Sequence, residues 1–462
     1  MTKEDDKARL YRRISGVHPR VVLERMRVFG FWPANRDLPS DPPDEAKERT
    51  AIENELLALA RSGSLDEASV AKALRLERAR RWEESKKRRL EKKKLREARA
   101  AEKRAAWRER KRGLVTHVGE GLSAGLQNAV SDAEKLASAK LPVLHTAADL
   151  AAALGVEIGR LRWLTYHRSG AALVHYRRYS IPKKTGGMRG ISAPKPALAK
   201  AQRWIFERIV GQLRVEPEAH GFVPSRSIVS NATPHVGRRV VINLDLEEFF
   251  PSITWRRAKG LFVSLGYSEQ VSVLLASLTT EPPRVEVSLD GKLLHVAIGE
   301  RRLPQGACTS PAITNVLCRA LDRRLAGLAT SFGFVYTRYA DDLTFSSDAS
   351  EKVGALLAFV RRIVTDEGFT EHGKKTRVMR HGRRQEVTGV VVNQKPSVAR
   401  EEVRELRAIL HNAGLHGFDS QNRKNHPAFV EHLRGRIAFI AMVDPLRAEK
   451  LRAMFDRALG RT

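Results

Sequence analysis

Residues 338–346 read RYADDLTFS. Two adjacent aspartates, Asp341 and Asp342, stand between an aromatic-rich run and a run of β-formers. Adjacent carboxylates repel, and a tight turn does not require two of them. The wider stretch FGFVYTRYADDLTFSS (332–347) predicts strand, tight turn, strand, with the acids at the turn. Upstream, RRVVINLDLEEFFPSI (238–253) predicts a second strand running into an acid, Asp245. Three carboxylates on neighbouring strands of one sheet repel strongly unless a cation binds among them. Hard oxygen donors favour Mg²⁺. Two such ions can activate a 3′-hydroxyl and stabilise a leaving pyrophosphate. The competing explanation is a set of turn acids satisfied by nearby arginines.

Further segments suit the same chemistry. RRLPQGACTSPAITNVL (301–317) predicts a loop entering a helix, with Pro311 in its first turn. Gln305 and Gly306 would let backbone approach an incoming base and sugar. IPKKTGGMRGISAP (181–194) predicts a basic hairpin with a Gly-Gly turn. Lys183, Lys184 and Arg189 on it are candidates to clamp a triphosphate.

Charge points to a polyanion. The 462 residues hold 83 Lys and Arg against 53 Asp and Glu, a net +30. Nucleic acid is the first partner this implies and an anionic membrane the second. No apolar run approaches the ~20 residues needed to span a bilayer. The N-terminus MTKEDDKARLYRR has no apolar signal-peptide core. A cytoplasmic protein without a membrane partner is expected. Cys308 and Cys318 are too few for a disulfide framework or a four-cysteine metal site, and read as small buried hydrophobes.

The chain changes character along its length. Residues 72–112 are mostly strong helix formers with no Gly or Pro, and carry 20 Lys and Arg against 7 acids. Two interpretations stay open for that helix, a solvated surface or an arm tracking phosphates. LPVLHTAADLAAALGVEIGRLRWLTYHR (141–168) predicts two short helices turning at Gly155, which pack rather than read DNA. Strands and helices alternate from 176 to about 396, and amphipathic helices follow Pro396.

In this order and spacing the segments resemble a bacterial retron reverse transcriptase, in a long form with an N-terminal basic extension. The series runs GGMRGISAPKPALAKAQRWI, AHGFVPSRSI, NLDLEEFFPSI, LPQGACTSPAITN, YADD and GFTEHGKKTRV. NATPH (231–235) resembles the family's Asn-Ala-x-x-His signature, and VTG (387–389) its Val-Thr-Gly signature. The resemblance implies an α+β right-hand polymerase. Its divisions would be a basic helical extension over 1–140, fingers and palm over 141–396, and a helical, RNA-recognising thumb over 397–462.

The resemblance also implies roles. Asp245 and Asp341 would hold two Mg²⁺ ions with help from the Leu246 carbonyl, and Asp342 would support them. Phe250 would exclude a 2′-hydroxyl and so select dNTPs; from the sequence alone a core position serves as well. Lys183 or Lys184, with Arg189, would meet the triphosphate, and Gln305 the nucleotide. Lys375 would lie near the pyrophosphate, with Lys374 as its rival. Asn231, His235, Val387, Thr388 and Gly389 are expected at the RNA.

The implied product is branched multicopy single-stranded DNA, made on a cognate non-coding RNA and primed from a guanosine 2′-hydroxyl. Residues 397–462 are too few for a thumb and a ribonuclease H domain, so template removal is expected to fall to a host ribonuclease H. The implied cellular role is antiphage defence with a separately encoded effector. Two rivals are a group II intron-like or other solitary reverse transcriptase, and an RNA-binding scaffold that restrains a toxin.

Overall fold

The computed structural model describes residues 19–30, 33–35, 47, 50–52, 54–55, 58, 61, 67–183 and 186–460. Lys184 lies outside them. The chain divides into two units, Met1–Arg104 and Ala105–Thr462. The first holds a helix, Pro19–Val28, and most of a 46-residue helix, α1 (Glu67–Arg112). Among the described residues no helix is long and apolar enough to cross a membrane.

The second unit is α+β. Its strands are β1 (Gly170–Ala171), β2 (Tyr176–Pro182), β3 (Met188–Pro194), β4 (Val240–Asp245), β5 (Arg284–Leu289), β6 (Lys292–Ala297), β7 (Val335–Tyr339), β8 (Asp342–Ser347), β9 (Arg377–Arg380), β10 (Glu386–Val387) and β11 (Val390–Val391). The central sheet is antiparallel throughout, in the order β7-β8-β4-β9. β2 and β3 form the predicted basic hairpin, and β5 and β6 form a second hairpin edged by β1. The two short helices, Ala147–Leu154 and Ile158–Thr165, turn at left-handed Gly155 as expected. Their buried leucines, Leu150, Leu154, Leu161 and Leu164, join the main core.

Alternation along the strands gives the central sheet two different faces. Val240, Ile242 and Leu244 of β4 enter the main core with Leu343 and Phe345 of β8. Val241, one residue out of phase, enters a second core with Val387, Val390 and Val392. That core continues into three C-terminal helices, α5 (Arg400–His416), α6 (Phe429–Val443) and α7 (Pro445–Leu459), through Leu406, Leu433, Leu451 and their neighbours. Around Val241 the second face is polar, with Asn243, Thr337, Thr344 and Ser346. It is sealed by the segment of α2 (Ile228–Ala232) and the turn Thr233–His235 that follows it.

Beneath the first face lies a buried ion pair. Arg338 of β7 and Asp322 of α4 (Arg319–Phe332) are both fully buried. Arg338 donates Nε to Asp322 Oδ1 and Nη2 to Oδ2, each at 2.7 Å. Its Nη1 donates to Asn315 of α3 (Thr309–Leu317) at 2.9 Å and to the Ala340 carbonyl at 3.1 Å. Tyr336 donates its hydroxyl to Asp322 at 2.9 Å. Such a bidentate pair repays its desolvation only with good geometry and further hydrogen bonds, and Arg338 has both. Removing one partner strands a buried charge, which costs about 3–5 kcal/mol. Asp322→Ala is therefore expected to lower unfolding free energy by about that much in urea denaturation. Asp322→Leu combined with Arg338→Met should recover most of the loss. A double variant as unstable as the single one would contradict the account.

Candidate active site

The acids expected at a turn do meet. Asp245 ends β4 and Asp342 begins β8, and the two are direct cross-strand partners. Asp341 sits with Ala340 in the two-residue turn joining β7 to β8, where Tyr339 pairs with Asp342. Ala340 has a left-handed backbone, φ +57°. The Leu246 amide donates to the Asp341 carbonyl at 3.0 Å, tying the two acid-bearing segments together.

The turn is also held from behind. Residues 218–220 run beside β7: Arg338 donates its amide to the Glu218 carbonyl, and His220 donates to the Arg338 carbonyl, both at 2.7 Å. Gly221 follows. A Cβ there would lie 2.5 Å from the Ala340 nitrogen, so only glycine lets the segment back the turn. Asn315, already bonded to Arg338, donates to the Gly221 carbonyl at 2.8 Å.

Burial, and then proximity, raise the proton affinity of Asp341 and Asp342. Burial pushes Asp342 up to about 7, and the charges of Asp341 and Asp245 add to it. Burial also raises Asp341; Asp245 reinforces this, while Arg189 and Lys375 oppose it. Lys375 donates Nζ to Asp245 Oδ2 at 2.7 Å. The 3-10 turn Gly373–Lys375 delivers it, with the His372 amide donating to the Asp245 carbonyl at 2.7 Å. This places Lys375, rather than Lys374, at the acids. Among the described residues no three acidic, histidine or cysteine side chains form a ready-made metal cage. The donor chemistry nonetheless fits a hard cation: clustered carboxylates whose charged forms are penalised by burial and by one another.

The candidate nucleotide contacts surround this cluster unevenly. Arg189 on β3 lies within electrostatic reach of Asp341. Lys183 opens the hairpin loop, where its carbonyl accepts from Gly186 and its amide donates to Gly187. Gln305 is half-buried, and its carbonyl accepts from the Ser192 amide at 2.7 Å, docking its loop on β3. Gly306 makes that docking possible, since a Cβ would lie 2.9 Å from Ile191 Cγ2 and 3.0 Å from the Ser192 carbonyl. Phe250 is half-buried, its ring 5.5 Å from Phe249 and 6.1 Å from Phe222. Phe222, which sequence reasoning did not single out, is 56% exposed with φ +60°.

The residues expected at the RNA are placed differently. Asn231, His235 and Val387 are fully buried. His235 bonds Ser346 at 2.7 Å and Thr337 at 2.8 Å, and burial pulls its pKa down to about 3, so it stays neutral. Asn231 donates to Thr388 at 3.4 Å, so the two signature segments touch each other. Of the five, only Gly389 is exposed and Thr388 partly so. Direct RNA contact by the three buried side chains would require them to leave the core.

The raised Asp342 gives a signed pH dependence. Its unfolded carboxyl ionises near 3.9. As pH rises from there through about 7, the unfolded state loses its proton while the folded state resists. The stability this group contributes is whole below the lower value and lost through the upper one. In EDTA, Asp342→Asn should therefore gain melting temperature relative to wild type between about pH 5 and pH 8. Parallel wild-type and variant curves would refute the shift.

Comparison with known proteins follows the same geometry. A family model described as reverse transcriptase (RNA-dependent DNA polymerase) matches residues 181–406. The chain is 48% identical over 329 residues to the retron Mx65 reverse transcriptase of Myxococcus xanthus, covering 71% of this chain and 75% of that protein. It is 44% identical over 395 residues to the retron Mx162 enzyme of the same organism, covering 79% and 78%. The retron Ec86 reverse transcriptase of Escherichia coli is 35% identical over 313 residues, covering 67% and 88%. With such similarity across most of each relative, and with paired acids at the ends of adjacent strands, the chain belongs to the retron reverse transcriptases, RNA-directed DNA polymerases that work with divalent metal.

Proposed function

We propose that the chain copies its own structured non-coding RNA into branched multicopy single-stranded DNA. Priming would start from the 2′-hydroxyl of an internal guanosine, in the cytoplasm, as part of antiphage defence. A host ribonuclease H would trim the template, and a separately encoded effector would act with the product complex. The observation that carries the catalytic part is the convergence of Asp245, Asp341 and Asp342 at one end of the central sheet, with Lys375 and the β2–β3 hairpin beside them.

In this proposal Asp245 and Asp341 hold two Mg²⁺ ions, with the Leu246 carbonyl assisting and Asp342 in support. Bound there, the ions would lower the pKa of the attacking hydroxyl and offset the charge on the leaving pyrophosphate. The protein's own groups do the rest. Arg189, with Lys183 or Lys184, meets the triphosphate from the hairpin. Gln305, fixed through β3, borders the base and sugar. Lys375, hydrogen-bonded to Asp245, would lie near the pyrophosphate. Phe250 bars a 2′-hydroxyl. Asn231 and His235 support RNA handling indirectly, by joining the sheet to the VTG segment and so to the C-terminal helices. RNA is recognised mainly by shape and unpaired loops, which suits a separate helical surface.

Asp245→Asn and Asp341→Asn should each cut primer extension on RNA by about a hundredfold or more while leaving the melt nearly intact. Substantial extension by either folded variant would remove the metal assignment. Phe250→Ala should keep some dNTP addition and accept rNTPs much better. Unchanged discrimination in an active variant would return Phe250 to a packing role. The branch is tested apart from these, by looking for a 2′,5′-linked product on RNA co-purified with the protein. Linear products alone would contradict guanosine priming.

A further inference from the structure

Helix α1 is unlike any other element among the described residues. It runs 46 residues, about 69 Å at 1.5 Å per residue. From Arg78 to Trp107 every residue is exposed. Among its described side chains the large apolar ones, Leu76, Trp82, Leu90, Leu95 and Trp107, are all more than half exposed and fall at irregular intervals. They make no stripe for a core, a coiled-coil seam or a membrane-surface face.

The excess charge is of one sign. Twenty Lys and Arg face eight Glu, too few to neutralise half of them. Among the described residues, ion pairs within the helix gather near its start, joining Glu77 to Arg80 and Arg81, and Arg80 to Glu84. Beyond them Arg88–Lys92, Arg89–Lys93, Lys92–Arg96 and Arg99–Lys103 are four residues apart and repel. A helix that merely spans solvent is better served by balanced pairs. Four consecutive cations, Lys86 to Arg89, also cover most of the helix circumference. A ligand carrying regularly spaced negative charge relieves this repulsion along the whole length.

The tryptophans narrow the choice. Trp82 is 66% exposed and Trp107 52% exposed. Lys86 lies over the Trp82 ring, 5.0 Å from its centroid. Exposed rings interleaved with cations suit unpaired bases beside phosphates. An anionic membrane would instead ask for a continuous apolar face, which α1 lacks. We infer that α1 is an RNA-binding arm that lies along the phosphates of a structured RNA and stacks its tryptophans on unpaired bases. The inference does not depend on the roles proposed for the acids.

The test uses the full chain and two six-site variants, Arg88, Arg89, Lys92, Lys93, Arg96 and Arg99 all changed to Glu, or all to Gln. Gln has helix propensity close to that of Lys and Arg, so it controls for loss of the helix, and circular dichroism checks both. Binding is measured to an RNA hairpin with an unpaired loop and to phosphatidylserine vesicles, across a series of salt concentrations. Each phosphate that the arm no longer neutralises lowers the slope of log affinity against log salt by about 0.7–0.9. Both variants should bind the hairpin at least tenfold more weakly, with the slope reduced by about two units or more. Extension at saturating primer–template should be unchanged, which separates this inference from the catalytic one. An unchanged hairpin affinity and slope in both variants, or a loss seen only with vesicles, would overturn it.

Discussion

The structure depends on holding like charges together. Asp245 and Asp342 face each other across β4 and β8, and Asp341 occupies the adjoining turn. Water would separate these carboxylates, and the fold does not let it. The buried strands supply the rigid base, with Val240, Ile242, Leu244, Leu343 and Phe345 in one core. Two cross-ties fix the ends: the Leu246 amide on the Asp341 carbonyl, and Arg338 on the Ala340 carbonyl. Burial, with the mutual repulsion added to it, raises the proton affinity of Asp341 and Asp342. A site strained in this way is poised to gain from a cation, and Lys375 already supplies part of that compensation at Asp245.

The same sheet links the site to the C-terminal helices. Its polar face would be costly to bury without partners. His235 supplies them by bonding Ser346 and Thr337, and burial keeps its ring neutral. Asn231 reaches from the same segment to Thr388. Val387 and Val390 flank that threonine in the core shared with α5, α6 and α7. Packed side chains thus run from the C-terminal helices to the back of the central sheet.

Much of this was legible in the chain. Local patterns gave the hairpin around Asp341, the strand ending at Asp245, the basic β2–β3 hairpin, the helix entered near Pro311 and the turn at Gly155. These rest on neighbours in sequence, where turn chemistry and periodicity speak directly. The Arg338 clamp was not legible, because a basic residue before an aromatic gives no sign of an aspartate sixteen residues away in another element. Gly306 was expected to admit an incoming base and sugar and Gly221 was not singled out; only tertiary contact shows which backbone each admits. The signature residues Asn231 and His235 pointed to RNA, whereas the Asn231 amide nitrogen and both His235 ring nitrogens are engaged inside the fold. Their partners lie between 102 and 157 residues away, beyond what local pattern can show.

The most direct measurement is anomalous diffraction from crystals of the protein with a primer–template, an incoming dNTP and Mn²⁺. The account predicts metal peaks bounded by the carboxylates of Asp245 and Asp341, with the Lys375 ammonium moved off Asp245 toward the phosphates. Metal bound only to the nucleotide, with the Lys375–Asp245 ion pair intact, would contradict it.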